Sequence, residues 1–224
     1  MTLKTFAELE QGSPQWRDAR CGIVTASVMD KLLTSTLKVA DNDGSRGLTI
    51  TLAAERITGT VEATYPSFEM QRGHEDEPIA RQVYADYYAP VEEVGFFLRT
   101  EKTYRLGFSP DGTVGADGLI ELKSRNPKVH IKTILSGKPP AENMAQLMVG
   151  LFVTNRAWID YCSYSPGLPF WKVRVYPDPD WFAAIIAAAE AFETNVADII
   201  SRYKQATDGL PMTERRIEIE DFTF

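Results

Sequence analysis

Ser109-Pro110-Asp111 is followed, after nine intervening residues, by Glu121-Leu122-Lys123. The intervening segment carries Gly112, Gly115 and Gly118 and reads as a turn between two strands. Strand alternation then sets Glu121 and Lys123 on one face and sends Leu122 into the core. Two carboxylates and an ammonium group would converge on one spot. Carboxylate oxygens suit Mg²⁺, which takes one or two protein carboxylates and completes its shell with water and phosphate oxygens. The backbone carbonyl of Leu122 is a candidate further ligand. A lysine there would orient or activate water and stabilise charge on phosphate. The chemistry this set suits is phosphodiester hydrolysis. A strand Glu and Lys often form only a solvated face, and Pro110-Asp111 across the turn is what favours the chemical reading.

Three further blocks keep the same order along the chain. Trp16 to Ser27 reads W-R-D-A-R-C-G-I-V-T-A-S, Arg72 to Arg81 reads R-G-H-E-D-E-P-I-A-R, and Asn143 to Gln146 reads N-M-A-Q. With the Ser109–Asp111 and Glu121–Lys123 motifs, this set resembles the phage lambda exonuclease family, the alkaline-exonuclease branch of the PD-(D/E)xK nucleases. The motifs cover residues from Gln11 to Thr154, and the W-x(3)-R-x-G-x(2)-TAS block is far more specific than ELK. The resemblance implies that Asp111, Glu121 and the Leu122 carbonyl hold Mg²⁺, with Mn²⁺ as a substitute, and that Lys123 is the acid/base or water-orienting residue. It implies that Glu77 helps hold the nucleophilic water or a second metal on the helix face. Arg20, Ser27, Ser109 and Gln146 would form a pocket for a 5′-terminal phosphate, where a guanidinium and neutral donors match phosphate chemistry.

Each residue also has an ordinary use. Arg20 could pair with Asp18 or Glu8, Thr25 and Ser27 could be N-caps, and Glu77 with Arg81 could be an i,i+4 helix pair. Gln146 could bond loop backbone. Trp16 reads as core, His74 as surface, and Cys21 and Cys162 as small buried hydrophobes.

These residues need a scaffold. Helices are expected over Pro14–Arg20, Ala26–Leu33, Leu48–Thr58, Glu75–Tyr88, Glu142–Thr154 and Asp180–Tyr203. The last carries an apolar stripe of Phe182, Ile185, Ile186, Ala189, Val196, Ile199, Ile200 and Tyr203. Strands are expected over Phe96–Phe108, Leu119–Ser124, Ala157–Tyr164 and Phe170–Tyr176. Thr34–Gly47 and Thr60–Phe68 are the loosest segments. The fold class is α/β, a restriction-endonuclease-like mixed sheet flanked by helices, in a single domain over 1–224. Thr213–Phe224 reads as a strand-like or flexible tail.

The 224 residues suffice for a real core, and two cysteines exclude a disulfide framework, a four-cysteine zinc site and a four-thiolate iron–sulfur cluster. No apolar run is long enough to cross a membrane and no signal peptide is visible, so a cytoplasmic protein is expected. With 24 Lys+Arg against 31 Asp+Glu the net charge is -7, which disfavours general DNA coating. From Leu122 to Pro140, however, the chain has Lys123, Arg125, Lys128, Lys132 and Lys138 and no acid, a local surface for phosphates.

The first function expected is a Mg²⁺-dependent 5′-to-3′ exonuclease on linear double-stranded DNA. It would release 5′-mononucleotides and leave a 3′ strand for recombination. The resemblance implies a homotrimeric ring, a single-strand annealing protein as partner, and a phage or prophage source. In such a ring Lys38 and Arg46 would line the channel, and Met70 would stand where a wedge parts the strands. The alternative on the same fold is a structure-specific or restriction-type endonuclease. A catalytically idle DNA-binding scaffold is the third reading, disfavoured by the intact Asp111, Glu121 and Lys123.

Overall fold

The computed structural model describes residues 1–62 and 67–214. Two four-stranded mixed sheets share a core with the helices around them, as the α/β reading expects. In the first, β1 (Thr2–Phe6) pairs antiparallel with β3 (Phe96–Thr100), and β3 pairs antiparallel with β4 (Arg105–Phe108). The two-residue strand β2 (Val24–Thr25) then lies parallel to β4. Phe96–Phe108 is thus two strands, because its alternation runs straight through a turn closed by the Glu101 N–H donating to the Tyr104 carbonyl at 2.9 Å.

The second sheet has the order β5 (Gly112–Val114), β6 (Gly118–Ser124), β7 (Trp158–Tyr164), β8 (Trp171–Val175). The β5–β6 hairpin is antiparallel, as the glycine-rich turn demands, while β6 and β7 run parallel. A parallel pair needs a crossover. It is supplied by α4 (Pro127–Ser136) and α5 (Ala141–Thr154). Helix α4 was not expected. Asn126 caps the Val129 N–H, Pro127 takes the first helical position, and Gly137 ends the helix in the left-handed region.

Helix α5 is buried along nearly its whole length, from Ala145 to Thr154 with only Gln146 less covered. It packs close to β4 at Gly150, where a Cβ would stand 2.8 Å from the Phe108 ring. On the far side of α5 lie the 3-10 helix Ala26–Leu32, α2 (Asp43–Thr58) and α6 (Pro179–Ala206), whose Leu52, Ile185, Ala189, Phe192 and Val196 belong to the same buried cluster as Leu119, Leu147 and Tyr161. The expected stripe on α6 stops short of Tyr203, which is exposed. Helix α2 starts earlier than expected because Asn42 and Ser45 form a reciprocal capping box. The polar loop therefore yields its last five residues, from Asp43 to Gly47, to that helix.

Helix α3 (Phe68–Tyr87) covers the other face of the second sheet, where Ala80 and Tyr84 meet Ile120, Leu122 and Cys162. It begins before Glu75 because Ser67 caps the Met70 N–H. Part of the Thr60–Phe68 segment and most of the Thr213–Phe224 tail lie outside the described residues. No described helix is long and apolar enough to cross a membrane.

Candidate active site

Strand β6 alternates as its sequence requires: Leu119 and Glu121 face α5, while Ile120 and Leu122 face α3. Asp111 sits on the loop just before β5 and reaches back over β6. Its Oδ2 accepts the Leu122 N–H at 2.6 Å. Pairing of β5 with β6 covers only Gly118 to Ile120, so the edge at Leu122 is not taken by β5. The N–H and C=O of a strand residue share an edge, so the Leu122 carbonyl lies on the side where Asp111 stands.

Glu121 is 1% exposed. Its Oε1 accepts from Lys123 Nζ at 2.7 Å and from Gln146 Nε2 at 2.6 Å, while Lys123 Nζ also donates to Gln146 Oε1 at 3.1 Å. Its Oε2 is buried with no hydrogen-bond partner. An orphaned carboxylate oxygen beside a second carboxylate fits a divalent cation. Among the described residues, no three or more His, Cys, Asp or Glu side chains make up a metal cage by themselves.

The electrostatics agree. Burial, then the Asp111 charge, pushes Glu121 up to about 8 against the pull of Lys123. Burial and Asp111 likewise raise Glu77 to about 7, with Arg81 opposing. Burial raises Asp111 as well, with Lys123 opposing. Burial opposes the charge on Lys123, but Glu121 and Asp111 outweigh it and its pKa rises. Three crowded carboxylates beside one lysine are short of positive charge.

Glu77 and Arg81 are the expected i,i+4 ion pair, but the arginine does more. Its Nε donates to the Asp111 carbonyl at 2.7 Å, and Nη1 pairs with Glu93 at 2.9 Å. The ordinary reading of the pair was therefore too small. Asp76, next to Glu77, is buried and accepts the Ser124 hydroxyl at 2.5 Å.

The second group lies on the other side of the same cavity. Arg20 donates to the Ser109 hydroxyl at 3.2 Å and to the Thr25 hydroxyl at 3.3 Å, and Thr25 and Ser27 hydroxyls lie 3.3 Å apart. Among the described residues, no carboxylate lies within salt-bridge distance of Arg20, so pairing with Asp18 or Glu8 is not its role. Burial lowers its pKa to about 10, with Glu55 opposing, and it stays charged at neutral pH. Thr25 stands at the start of the 3-10 helix without making a cap hydrogen bond.

Trp16 is no mere core residue. It stacks on Arg20 with 3.9 Å from guanidinium carbon to ring centroid, and its indole N–H donates to Ser109 at 2.9 Å. The i,i+4 spacing of Trp16 and Arg20 on α1 (Pro14–Arg20) was the signal that could have found it. Gln11, also missed, donates to the Pro110 carbonyl at 2.8 Å and so braces the Asp111 turn. No regular motif announces it.

All ten of Trp16, Arg20, Ser27, Glu77, Ser109, Asp111, Glu121, Leu122, Lys123 and Gln146 line one open cavity of about 360 Å³, with Met70 and His74 at its α3 side. Gln146 stands at the carboxylate end, its amide spent on Glu121 and Lys123. An adjoining cavity of about 440 Å³ shares Gln11, His74 and Glu77 but not Asp111, Glu121 or Lys123. Cys162 is buried, as expected of a small hydrophobe, whereas Cys21 is only half-buried.

A family model described as YqaJ-like viral recombinase domain matches residues 15–157. The chain is 33% identical to an alkaline exonuclease from Laribacter hongkongensis, over 89% of this chain and 100% of that one, with a TM-score of 0.79. A second structure of that exonuclease, in complex with dAMP, matches at 35% identity over the same shares with a TM-score of 0.76. A phage-related exonuclease from Haemophilus somnus shares the fold at 12% identity, covering 81% of this chain and 96% of that chain with a TM-score of 0.62. No curated protein matches the chain.

Proposed function

We propose, on the premise that the chain belongs to the family of YqaJ-like viral recombinase domains, that it is a metal-dependent exodeoxyribonuclease. It digests linear double-stranded DNA from the 5′ end, releases 5′-mononucleotides and leaves a 3′ single strand. One observation carries this reading: a carboxylate–lysine set and a carboxylate-free arginine–hydroxyl set face the same cavity. The first suits phosphodiester hydrolysis. The second suits a terminal phosphate dianion, which exists only at an end. The relatives are exonucleases by their own description, one of them solved with dAMP, a 5′-mononucleotide.

Asp111, Glu121 and the Leu122 carbonyl would hold Mg²⁺ or Mn²⁺. When bound, such a cation supplies charge to the scissile phosphate and makes water more acidic. Glu77, on the α3 side of the cavity, is placed to accept a proton from water. Lys123, held by Glu121 and Gln146, donates to the phosphate oxygens as charge builds on them. Arg20, Ser27 and Ser109 orient the terminal phosphate, with the Trp16 ring backing the guanidinium. Each cleavage exposes a new 5′-phosphate, so the pocket draws the strand forward.

Lys128, Lys132 and Lys138 are exposed on and just after α4, next along the chain from the ELK strand, and suit duplex backbone. Met70 is exposed at the cavity mouth and suits a wedge between strands. The assembly is read as a homotrimeric ring acting with a single-strand annealing protein in phage recombination. A net charge of -7 together with the acid-free basic run from Leu122 to Pro140 fits that reading. The test is digestion of linear, nicked-circular and closed-circular duplex with Mg²⁺ and with EDTA. Loss of the linear form alone in Mg²⁺ is expected, with acid-soluble mononucleotides. Linearisation of the closed circle would make the chain an endonuclease, and no digestion of any form would make it a scaffold.

A further inference from the structure

Apart from Ser109, the phosphate pocket is assembled from two pieces of chain that meet at Gly22. Trp16 and Arg20 precede it on α1, and Thr25 and Ser27 follow it. Gly22 adopts φ +65°, a left-handed turn that glycine tolerates best. Its two backbone polar groups are both taken by α2. The Gly22 N–H donates to Glu55 Oε2 at 2.7 Å, and the Gly22 carbonyl accepts from Arg56 Nε at 2.7 Å. Arg56 is itself held from behind by Glu193 of α6, through two bonds of 2.5 and 2.8 Å. Its side chain is only 17% exposed and fills the space over Gly22, where a Cβ would stand 2.4 Å from Arg56 Cγ.

We propose that Glu55 and Arg56 are positioning residues for the 5′-phosphate pocket, gripping Gly22 so that Arg20 and the Thr25–Ser27 hydroxyls keep their mutual spacing. This rests on the phosphate reading of the pocket. Neither residue lines the cavity, and neither touches Asp111, Glu121 or Lys123. Their effect falls on recognition of the end. The Arg20 contacts to Ser109 and Thr25, at 3.2 and 3.3 Å, are at the long end of the hydrogen-bonding range, so a small turn of the Gly22 peptides breaks them. The planar fork of Arg56 reaches Gly22 and Glu193 together, which a lysine ammonium cannot do in the same geometry. The grip thereby ties the pocket to α6, far along the chain.

The experiment compares initial digestion rates of blunt duplexes with a 5′-phosphate and with a 5′-hydroxyl, at one salt concentration. The proteins are wild type, Glu55→Ala, Arg56→Met and Glu193→Gln, each with its melting temperature measured. The wild type is expected to prefer the phosphorylated end. In Glu55→Ala and Arg56→Met the ratio of the two rates is expected to fall on the order of tenfold, since a misplacement of about 1 Å is costly to a pre-set site. Glu193→Gln keeps both bonds to Gly22, so it is expected to lower the melting temperature and keep more of the ratio than Arg56→Met. Arg56→Lys and Glu55→Gln, which each preserve a partial grip, are expected to fall between and serve if the harsher variants do not fold. A preference that survives in all four variants at residues 55 and 56 overturns the positioning role alone. No preference in the wild type overturns the pocket itself, and the inference with it.

Discussion

Replacing Glu121 by glutamine should raise the stability of the protein in EDTA while destroying its activity. The carboxyl is 1% exposed, has one oxygen without a partner, and is held at about 8 instead of 4.5. A tenfold change in proton affinity is worth about 1.36 kcal/mol, so above pH 8 the buried anion costs on the order of 5 kcal/mol. Local relaxation and water entering the open cavity recover part of it, leaving roughly 2 kcal/mol for the substitution to restore. Glutamine keeps an acceptor for Lys123 and removes the repulsion with Asp111. The sign follows from the raised pKa. Stability from this group is fully present below about 4.5 and is lost as pH rises through about 8. Wild-type and Glu121→Gln melting curves in EDTA should therefore coincide near pH 4.5. They should separate by about 4–8 °C at pH 9, given roughly 2–4 °C per kcal/mol at this size. Adding Mg²⁺ at pH 9 should raise the wild type and leave the variant in place. A variant less stable than wild type at pH 9, or a gap that ignores pH, would refute the crowded-carboxylate account of the site.

Lys123→Ala should lower turnover by roughly 10²–10³ while Mn²⁺ binding persists, because its ammonium is a preorganised charge and no metal ligand. Turnover within a few-fold of wild type, in a stopped assay of acid-soluble nucleotide, would remove it from the mechanism. Arg20→Ala should slow phosphorylated ends by ten- to a hundredfold, the worth of a charge-assisted contact, and nearly erase the difference from hydroxyl ends in a gel time course. Asp160→Asn should cost about 1–3 kcal/mol without touching the cavity, since Lys172 and Arg174 can turn to solvent while the buried amide loses charge-assisted bonds. It leaves Lys172 and Arg174, each now bonded to Asp160 at 2.8 Å, without their buried anion, and weakens the Tyr84 contact that holds α3 to the sheet. Burial raises the Asp160 carboxyl, but bonds from Arg174, Lys172 and Tyr84 outweigh it, so its stabilisation is present above about 4 and lost as pH falls through its lowered pKa. Urea titration at pH 7 and pH 3 should show the variant's deficit shrinking in acid. If Ca²⁺ supports digestion as fast as Mg²⁺, the hard, compact-cation assignment fails.

The strand that carries Glu121 and Lys123 could be read directly because period-two alternation and a glycine-rich turn are local signals. They placed Glu121 with Lys123 and buried Leu122, as observed. Arg20, Ser27 and Ser109 came from motif order, and they do share one cavity with the carboxylates. What local pattern could not reveal were partners far apart along the chain. Trp16 looked like core because indole is apolar by count, and only the approach of Ser109 exposes its N–H as a tether. Arg81 looked like a helix ion pair because its third partner, the Asp111 carbonyl, belongs to another segment. Helix α4 was hidden by an Asn-Pro start whose capping and turn meanings are identical in sequence.

The β5–β6 hairpin sets rules for how this gene can change. Gly115 to Asp117 are exposed at its tip, and Arg156 hooks the Gly115 and Gly118 carbonyls at 2.8 and 2.7 Å. Added residues at Ala116 would loop outward and leave the strand pairing intact, so the tip is a port where a tag or a small domain could be grafted. One residue added between Gly118 and Glu121 would do the opposite. It would turn Leu122 toward α5 and carry Glu121 and Lys123 under α3, since each step along a strand inverts the side faced. Length variation among natural sequences should therefore collect at the tip and be absent three residues later. An alignment of homologues can check that directly.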